Sequence, residues 1–296
     1  MITRVTQQMM SQRSLDGLQL GLTRLAKIQE HLSTGKVINR VSDAPADATA
    51  AMRLRSAVAV QKQYARNADD GATWLAQADV ALQDATDLVR RARELGLQGA
   101  SSGSMSQQGR EALAAEVDQL RQGLISTANT TYLDRPVFGG VTAGTQAYDA
   151  TTGAYIGVNQ PVLRSVADGV KVRVDVDGQA TFASSGTSAF DDLTALSTAL
   201  RANDTVAMRT QVDALKVHLD AISTVQSDVG ARAKRIDLAN VSAGDAQMAL
   251  STRLSNLENT DLAQATVDLN LQQVAYQSAL AATARVMQPS LVDFLS

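Results

Sequence analysis

The sequence predicts a mainly α fold: a long helical bundle or coiled coil formed by both chain ends, with a small β-rich insertion domain in the middle. Three observations carry this. Leu15, Leu18, Leu22 and Leu25 near the start step by three and four, and so do Leu262, Ala265, Leu269, Gln272, Tyr276, Ala279 and Thr283 near the end. That spacing places each set on one face of a helix. Between them Met208, Val212, Leu215, Leu219, Ile222, Val225, Val229, Arg232, Ile236, Ala239, Ala243, Ala246 and Leu250 keep the four-and-three step, apart from one shift from 222 to 225, over a run too long for an ordinary globular helix. Only residues 136–188, rich in Gly, turn to short alternating runs.

A first helix is expected from about Thr3 to Thr34, stopped by Gly35, a residue suited to the left-handed turn after a helix. The stretch Lys36 to Pro45 reads as an extended link, with Ser42 or Asp43 at the next helix cap and Pro45 in its first turn. A second helix follows to about Gln98, carrying Met52, Trp74, Leu75, Leu82, Leu88 and Leu95. Gly99 to Gly109, dense in Gly and Ser, reads as a turn before a third helix from about Arg110 to Thr130.

In the insertion Val170, Val172, Val174 and Val176 alternate strictly with charged residues, and Asp177-Gly178 then precedes Ala180-Thr181-Phe182. Asp-Gly adopts the positive φ angles of a two-residue hairpin turn, so a hairpin is expected there. A second is expected around Thr152-Gly153. Helix returns at Ser188-Ala189-Phe190-Asp191, which resembles a capping box. Asn203-Asp204 makes a turn and cap before the long run, which breaks near Asn259-Thr260. Three domains follow: residues 1–42 with 256–296 as a terminal helical assembly domain, 43–135 with 188–255 as a long helical bundle, and 136–187 as a small β-rich outer domain. With turns at both of its hairpins, the last is expected to be replaceable by a short linker.

Composition narrows the function. Of 296 residues 45% are hydrophobic but only 3% aromatic, so the core is built from Ala, Leu, Val and Met. That suits close helix packing and suits an aromatic-lined ligand pocket poorly. The net charge of −3 and the lack of a basic run longer than Arg90-Arg91-Ala92-Arg93 argue against nucleic acid. Absence of Cys excludes disulfides and thiolate chemistry. The start carries no apolar segment with a cleavage site, so no cleaved signal peptide is expected. His31 and His218 read as solvated helix residues, without metal-ligand spacing around either. The scattered Asp pairs, and Arg90 to Leu95, read as solvated faces, and the Met residues as core or interface filler. No catalytic motif occurs, so no enzyme, cofactor, metal or small-molecule substrate is expected.

The terminal stripes have no local partner in sequence. Leu15, Leu18, Leu22, Leu25, Leu262, Leu269, Tyr276, Leu280, Leu291, Phe294 and Leu295 are therefore the candidate subunit-assembly residues.

Several segments resemble the flagellin superfamily: Val41-Ser42-Asp43-Ala44-Pro45-Ala46-Asp47, Tyr64 through Leu75, Leu88 through Leu95, Leu257-Glu258-Asn259-Thr260-Asp261-Leu262-Ala263, and the ending Gln288-Pro289-Ser290-Leu291-Val292-Asp293-Phe294-Leu295. The Ser-Asp-x-Pro form and that ending are more similar to the hook-associated subfamily of the hook–filament junction than to filament flagellin. The resemblance implies a structural flagellar subunit, exported unfolded through the flagellar type III apparatus into an extracellular appendage. It implies as partners further copies in a ring, a neighbouring hook-associated protein, flagellin, and a cytoplasmic export chaperone on the C-terminal helix. A filament subunit is the nearest alternative; a cytoplasmic coiled-coil scaffold or sensor is a more distant one.

Overall fold

The computed structural model describes residues 2–101, 105–183 and 186–286. In chain order the elements are α1 (Ile2–Thr34), α2 (Pro45–Ser101), α3 (Gln107–Ala128), β1 (Thr131–Tyr132), β2 (Arg135–Pro136), β3 (Leu163–Ala167), β4 (Val170–Arg173), α4 (Gly178–Phe182), α5 (Ala189–Ala202), α6 (Thr205–Glu258) and α7 (Leu262–Val286). They form two compact units: a terminal unit of Met1–Ala59 with Gln247–Ser296, and a central unit of Val60–Ala246.

The central unit is a helical bundle with a regular seam. On α6 the buried side chains Met208, Leu215, Ile222, Val229, Ile236 and Ala243 recur every seventh residue. A strict seven-residue repeat keeps one face on its neighbours and favours a left-handed supercoil. The register runs unbroken through Ile222, although the sequence spacing suggested a shift there. On α2 Ala68, Leu75, Leu82 and Val89 form one column, and Ala78, Ala85 and Ala92 another. Glycine extends both columns: a Cβ at Gly96 would lie 2.6 Å from Val212, and one at Gly99 would collide with Leu200. Small residues along the seam let backbones approach closely, which is how a chain poor in aromatics still fills its core.

The caps explain most helix boundaries. Ser106 accepts a hydrogen bond from Gly109 N–H at the start of α3, and Ser188 does the same from Asp191 at α5. Asn203 is left-handed at φ 55° and ends α5. Asp204 accepts from Val206 and Ala207 N–H to open α6. One expected cap is different. Ala44, not Ser42 or Asp43, accepts the first helical bond of α2, from Ala48. The Asp43 carboxylate turns back to the link, accepting from Arg40 N–H at 2.8 Å and Asn39 N–H at 3.3 Å. These bonds, the Arg40 amide first, hold its pKa below the usual aspartate value.

The insertion differs from expectation in three ways. Its longer hairpin pairs β3 with β4 antiparallel, Leu163 opposite Arg173. Its turn is therefore Asp168-Gly169, with Gly169 at φ 66°. Asp177-Gly178 makes no hairpin: Asp177 caps the short helix α4 by accepting from Ala180 N–H. An Asp-Gly pair serves as a turn or as a cap, and which of the two depends on whether a partner strand follows. Around Thr152-Gly153 the chain does reverse, with Gly153 at φ 76°, but a single antiparallel bridge joins Tyr148 to Tyr155. A further ribbon, β1 with β2, turns on Leu133 and Asp134, both at positive φ.

The insertion shares the core of the central unit. Phe138, Val166, Val174 and Phe182 belong to one buried cluster with Trp74, Leu75, Phe190 and Leu196. Arg164 sits over the Trp74 ring at 5.7 Å and pairs with Asp70 at 2.6 Å, while the Tyr132 ring packs on Trp74 at 5.4 Å between centroids. His218 departs from the expected solvated position. It is fully buried, its Nε2 2.8 Å from Asp192 Oδ2, and Thr187 donates to the same carboxylate. His31 is half-buried at the end of α1. The Arg90–Leu95 run divides as the helix turns: Arg90 pairs with Asp87 and Arg91 with Glu116 on the outside, and Ala92 and Leu95 enter the core.

Candidate assembly surface at the terminal helices

The terminal unit is built on α1 packed against α7. On α1 Ser14, Leu18, Gly21, Leu25 and Ile28 are half-buried, again at steps of four and three. On α7 Ala265 is buried and Leu269, Gln272, Tyr276 and Thr283 are half-buried. The two stripes meet where Gly21 leaves room: a Cβ there would stand 3.2 Å from the Tyr276 ring. Gln272 Nε2 reaches the Gly21 carbonyl at 3.4 Å.

A second set of apolar residues faces away from this seam. Val267 (60% exposed), Leu271 (70%) and Val274 (63%) lie on α7. At about 100° per residue they sit roughly half a turn from Ala265, Gln272 and Tyr276. With Asn270 and Ala275 they line an open groove. On α1 Leu15, Leu20 and Leu22 are about half-exposed, flanking the seam on its two sides. A helix that is apolar on opposite faces with only one face occupied has room for a second partner.

The candidate residues read from sequence fall into distinct places. Leu18, Leu25, Leu269 and Tyr276 lie in the α1–α7 seam. Leu15, Leu22, Leu262 and Leu280 are exposed beside it, at 48%, 48%, 54% and 43%. Leu291, Phe294 and Leu295 lie outside the described residues. Val267, Leu271 and Val274 fall outside that set, because they lie on the face of α7 opposite the stripe through Ala265 and Tyr276. The signal was available: these three repeat the four-and-three step on the opposite face.

Where α1 and α7 join the rest of the terminal unit, the two chain crossings are fastened together. Val37 N–H donates to Glu258 O at 2.7 Å, and Thr260 N–H to Gly35 O at 2.9 Å. Lys36 and Asn259 form an antiparallel bridge. The Glu258 side chain, 4% exposed, pairs with Arg55 at 2.7 Å and Lys36 at 3.2 Å. Burial pushes its pKa up, but Arg55 and Lys36 outweigh this and hold it below the usual glutamate value.

Family models match both ends of the chain: the bacterial flagellin N-terminal helical region over residues 5–137, and the C-terminal helical region over 212–295. The chain belongs to the bacterial flagellin family. Between the matched regions lie β3, β4, α4, α5 and the first residues of α6. Flagellar hook-associated protein 3 of Salmonella typhimurium is 24% identical, over 93% of this chain and 94% of its own. A flagellar filament 31.3 kDa core protein of Treponema maltophilum is 28% identical, over 93% and 94%. Among solved structures, a putative flagellar hook-associated protein from Vibrio parahaemolyticus has the same fold, with a TM-score of 0.67 and 20% identity, over 73% of this chain and all of its own. The family's proteins are flagellar structural components. Among the described residues no group of His, Asp and Glu is arranged to hold a metal ion, and no helix is long and apolar enough to cross a membrane.

Proposed function

We propose that this protein is a structural subunit of the bacterial flagellum that forms the ring at the hook–filament junction and adapts the hook to the filament. The observation that carries the assembly role is the two-faced α7 helix. Its Ala265–Tyr276 side is held by α1, while Val267, Leu271 and Val274 stay in water. Covering apolar surface contributes about 25 cal/mol per Å², which the free subunit does not realise there. Neighbouring copies would cover it, with a second hook-associated protein on one side and flagellin on the other. In this reading residues 1–42 with 256–296 form the assembly domain, 43–135 with 188–255 the long helical bundle, and 136–187 the small β-rich outer domain. A cytoplasmic chaperone would hold α7 before type III export.

The junction, as opposed to the filament, is favoured by the whole-length likeness to hook-associated protein 3 and by the hook-associated fold match. The filament reading has its own support in the slightly higher identity to the Treponema filament protein. Immunolabelling of isolated hook–filament preparations separates them. Label confined to the hook end at low copy supports the junction. Label along the filament assigns the protein as a filament subunit.

A further inference from the structure

Glu258 is out of place in its surroundings. It is a carboxylate 4% exposed at the last position of α6, paired at once with Lys36 from the first crossing and Arg55 from α2. Burying an ion pair is a weak way to gain stability, since desolvation offsets most of the attraction. Such groups are more plausibly retained where they select one arrangement among several. Here there is something to select. The link from α6 to α7 is only Asn259, Thr260 and Asp261, and Asp261 caps α7 by accepting from Ala263 and Gln264 N–H. So short a link passes any shift at Glu258 directly into the start of α7. Opposite it, α1 ends at Gly35 with φ 68°, held by Thr260 N–H on its carbonyl. The bridge between Lys36 and Asn259 is a single pair, and one pair specifies register poorly on its own. The first crossing is otherwise organised internally: Asp43 binds the Asn39 and Arg40 amides and lies 3.8 Å from Lys27, and Arg40 lies 3.7 Å from Glu30. Among the described residues only Lys36 and Arg55 bring charge to Glu258.

We propose that Glu258 is a positioning residue for the terminal helix pair: by holding Lys36 and Arg55 together it fixes the register of the two crossings, and with it the setting of α7 against α1. The proposal rests on reading α7 as an assembly helix only for its consequence. The geometry it describes belongs to the single subunit.

Hydrogen exchange on the full-length monomer tests it. In Glu258→Gln the amides of Val37 and Thr260 should exchange about tenfold faster or more, and the amides of α7 should follow, while those of α6 between residues 208 and 243 keep their protection. A charge-exchanged variant, Lys36→Glu with Arg55→Glu and Glu258→Arg, should restore slow exchange at both crossing amides. A side chain that merely fills space would not be rescued by inverted charges. Unchanged protection in Glu258→Gln, or equal loss of protection across the central unit, or no rescue by the exchanged charges, overturns the proposal. Because all of this is read in the monomer, it stands or falls separately from the junction assignment, which immunolabelling decides.

Discussion

At the scale of single residues, three positions carry consequences that can be measured. Leu133 is 74% exposed and holds φ at 47°, a region costly for a branched side chain. Leu133→Asn or Leu133→Gly should raise stability by about 1 kcal/mol, read by urea unfolding, because neither residue is strained in that turn. His218 gives the opposite case. His218→Ala takes one hydrogen-bond partner from the buried Asp192 carboxylate, and should cost roughly 3 kcal/mol in the same measurement. Glu258 predicts a pH dependence. Its pKa is lower in the folded chain than in the unfolded one, so the unfolded state binds the proton more readily. Its contribution is therefore fully present above the ordinary glutamate value and is lost as pH falls from there through the lower folded value. Exchange at Val37 and Thr260, corrected for the intrinsic pH dependence of exchange, should quicken over that acidic interval in the wild type. In Glu258→Gln the acid dependence should be flatter.

At the scale of elements, the two faces of α7 make separable predictions. Leu271→Asp puts charge on a residue 70% exposed, so the monomer's melting temperature should hardly move while incorporation at the junction fails. Leu269→Asp enters the half-buried seam with α1, so it should loosen α1 and α7 in the monomer itself, seen as faster amide exchange there. If Leu271→Asp still supports attached filaments, the outward face is not an assembly surface. The same helix shows how far the sequence could be read. Its existence, its start after Asn259-Thr260 and the stripe through Ala265, Gln272 and Tyr276 all follow from periodicity, because a helix face repeats every three or four residues. Which stripe meets α1 does not follow, since both sides of α7 are apolar and pairing depends on Gly21 opening room for Tyr276. The hairpin expected at Asp177-Gly178 failed for a related reason. Asp168-Gly169 and Asp177-Gly178 carry the same local signal, and only the availability of a partner strand makes one a turn and the other a cap. The burial of His218 was also hidden: it stands one residue from Leu219 in the repeat, and the Asp192 that accepts it comes from another helix.

At the scale of the whole molecule, the helical ends and the middle insertion were legible because composition and period change together near Pro136. The degree to which the insertion is built into the bundle was not, since Arg164–Asp70 and Tyr148–Phe190 join residues far apart in sequence. Replacing residues 138–186 by a short Gly-Ser link would strip cover from Trp74 and Phe190, so the melting temperature should drop by roughly 10 °C or more. A variant that melts like the wild type would show that the bundle closes without the insertion, as turn chemistry alone suggested. The seam between α1 and α7 also orders events in time. Gln272 and the Gly21 carbonyl are 251 residues apart in the chain. Closing so long a loop is entropically the last thing a growing chain can do, whereas α5 and α6 meet through Asp192 and His218, 26 residues apart. α1 therefore waits, exposed, until almost the entire polypeptide has been delivered. A chain cut short before Leu262 leaves that wait unended, so completion of the terminal pair works as a test of length: only a product that carries α7 presents a closed pair.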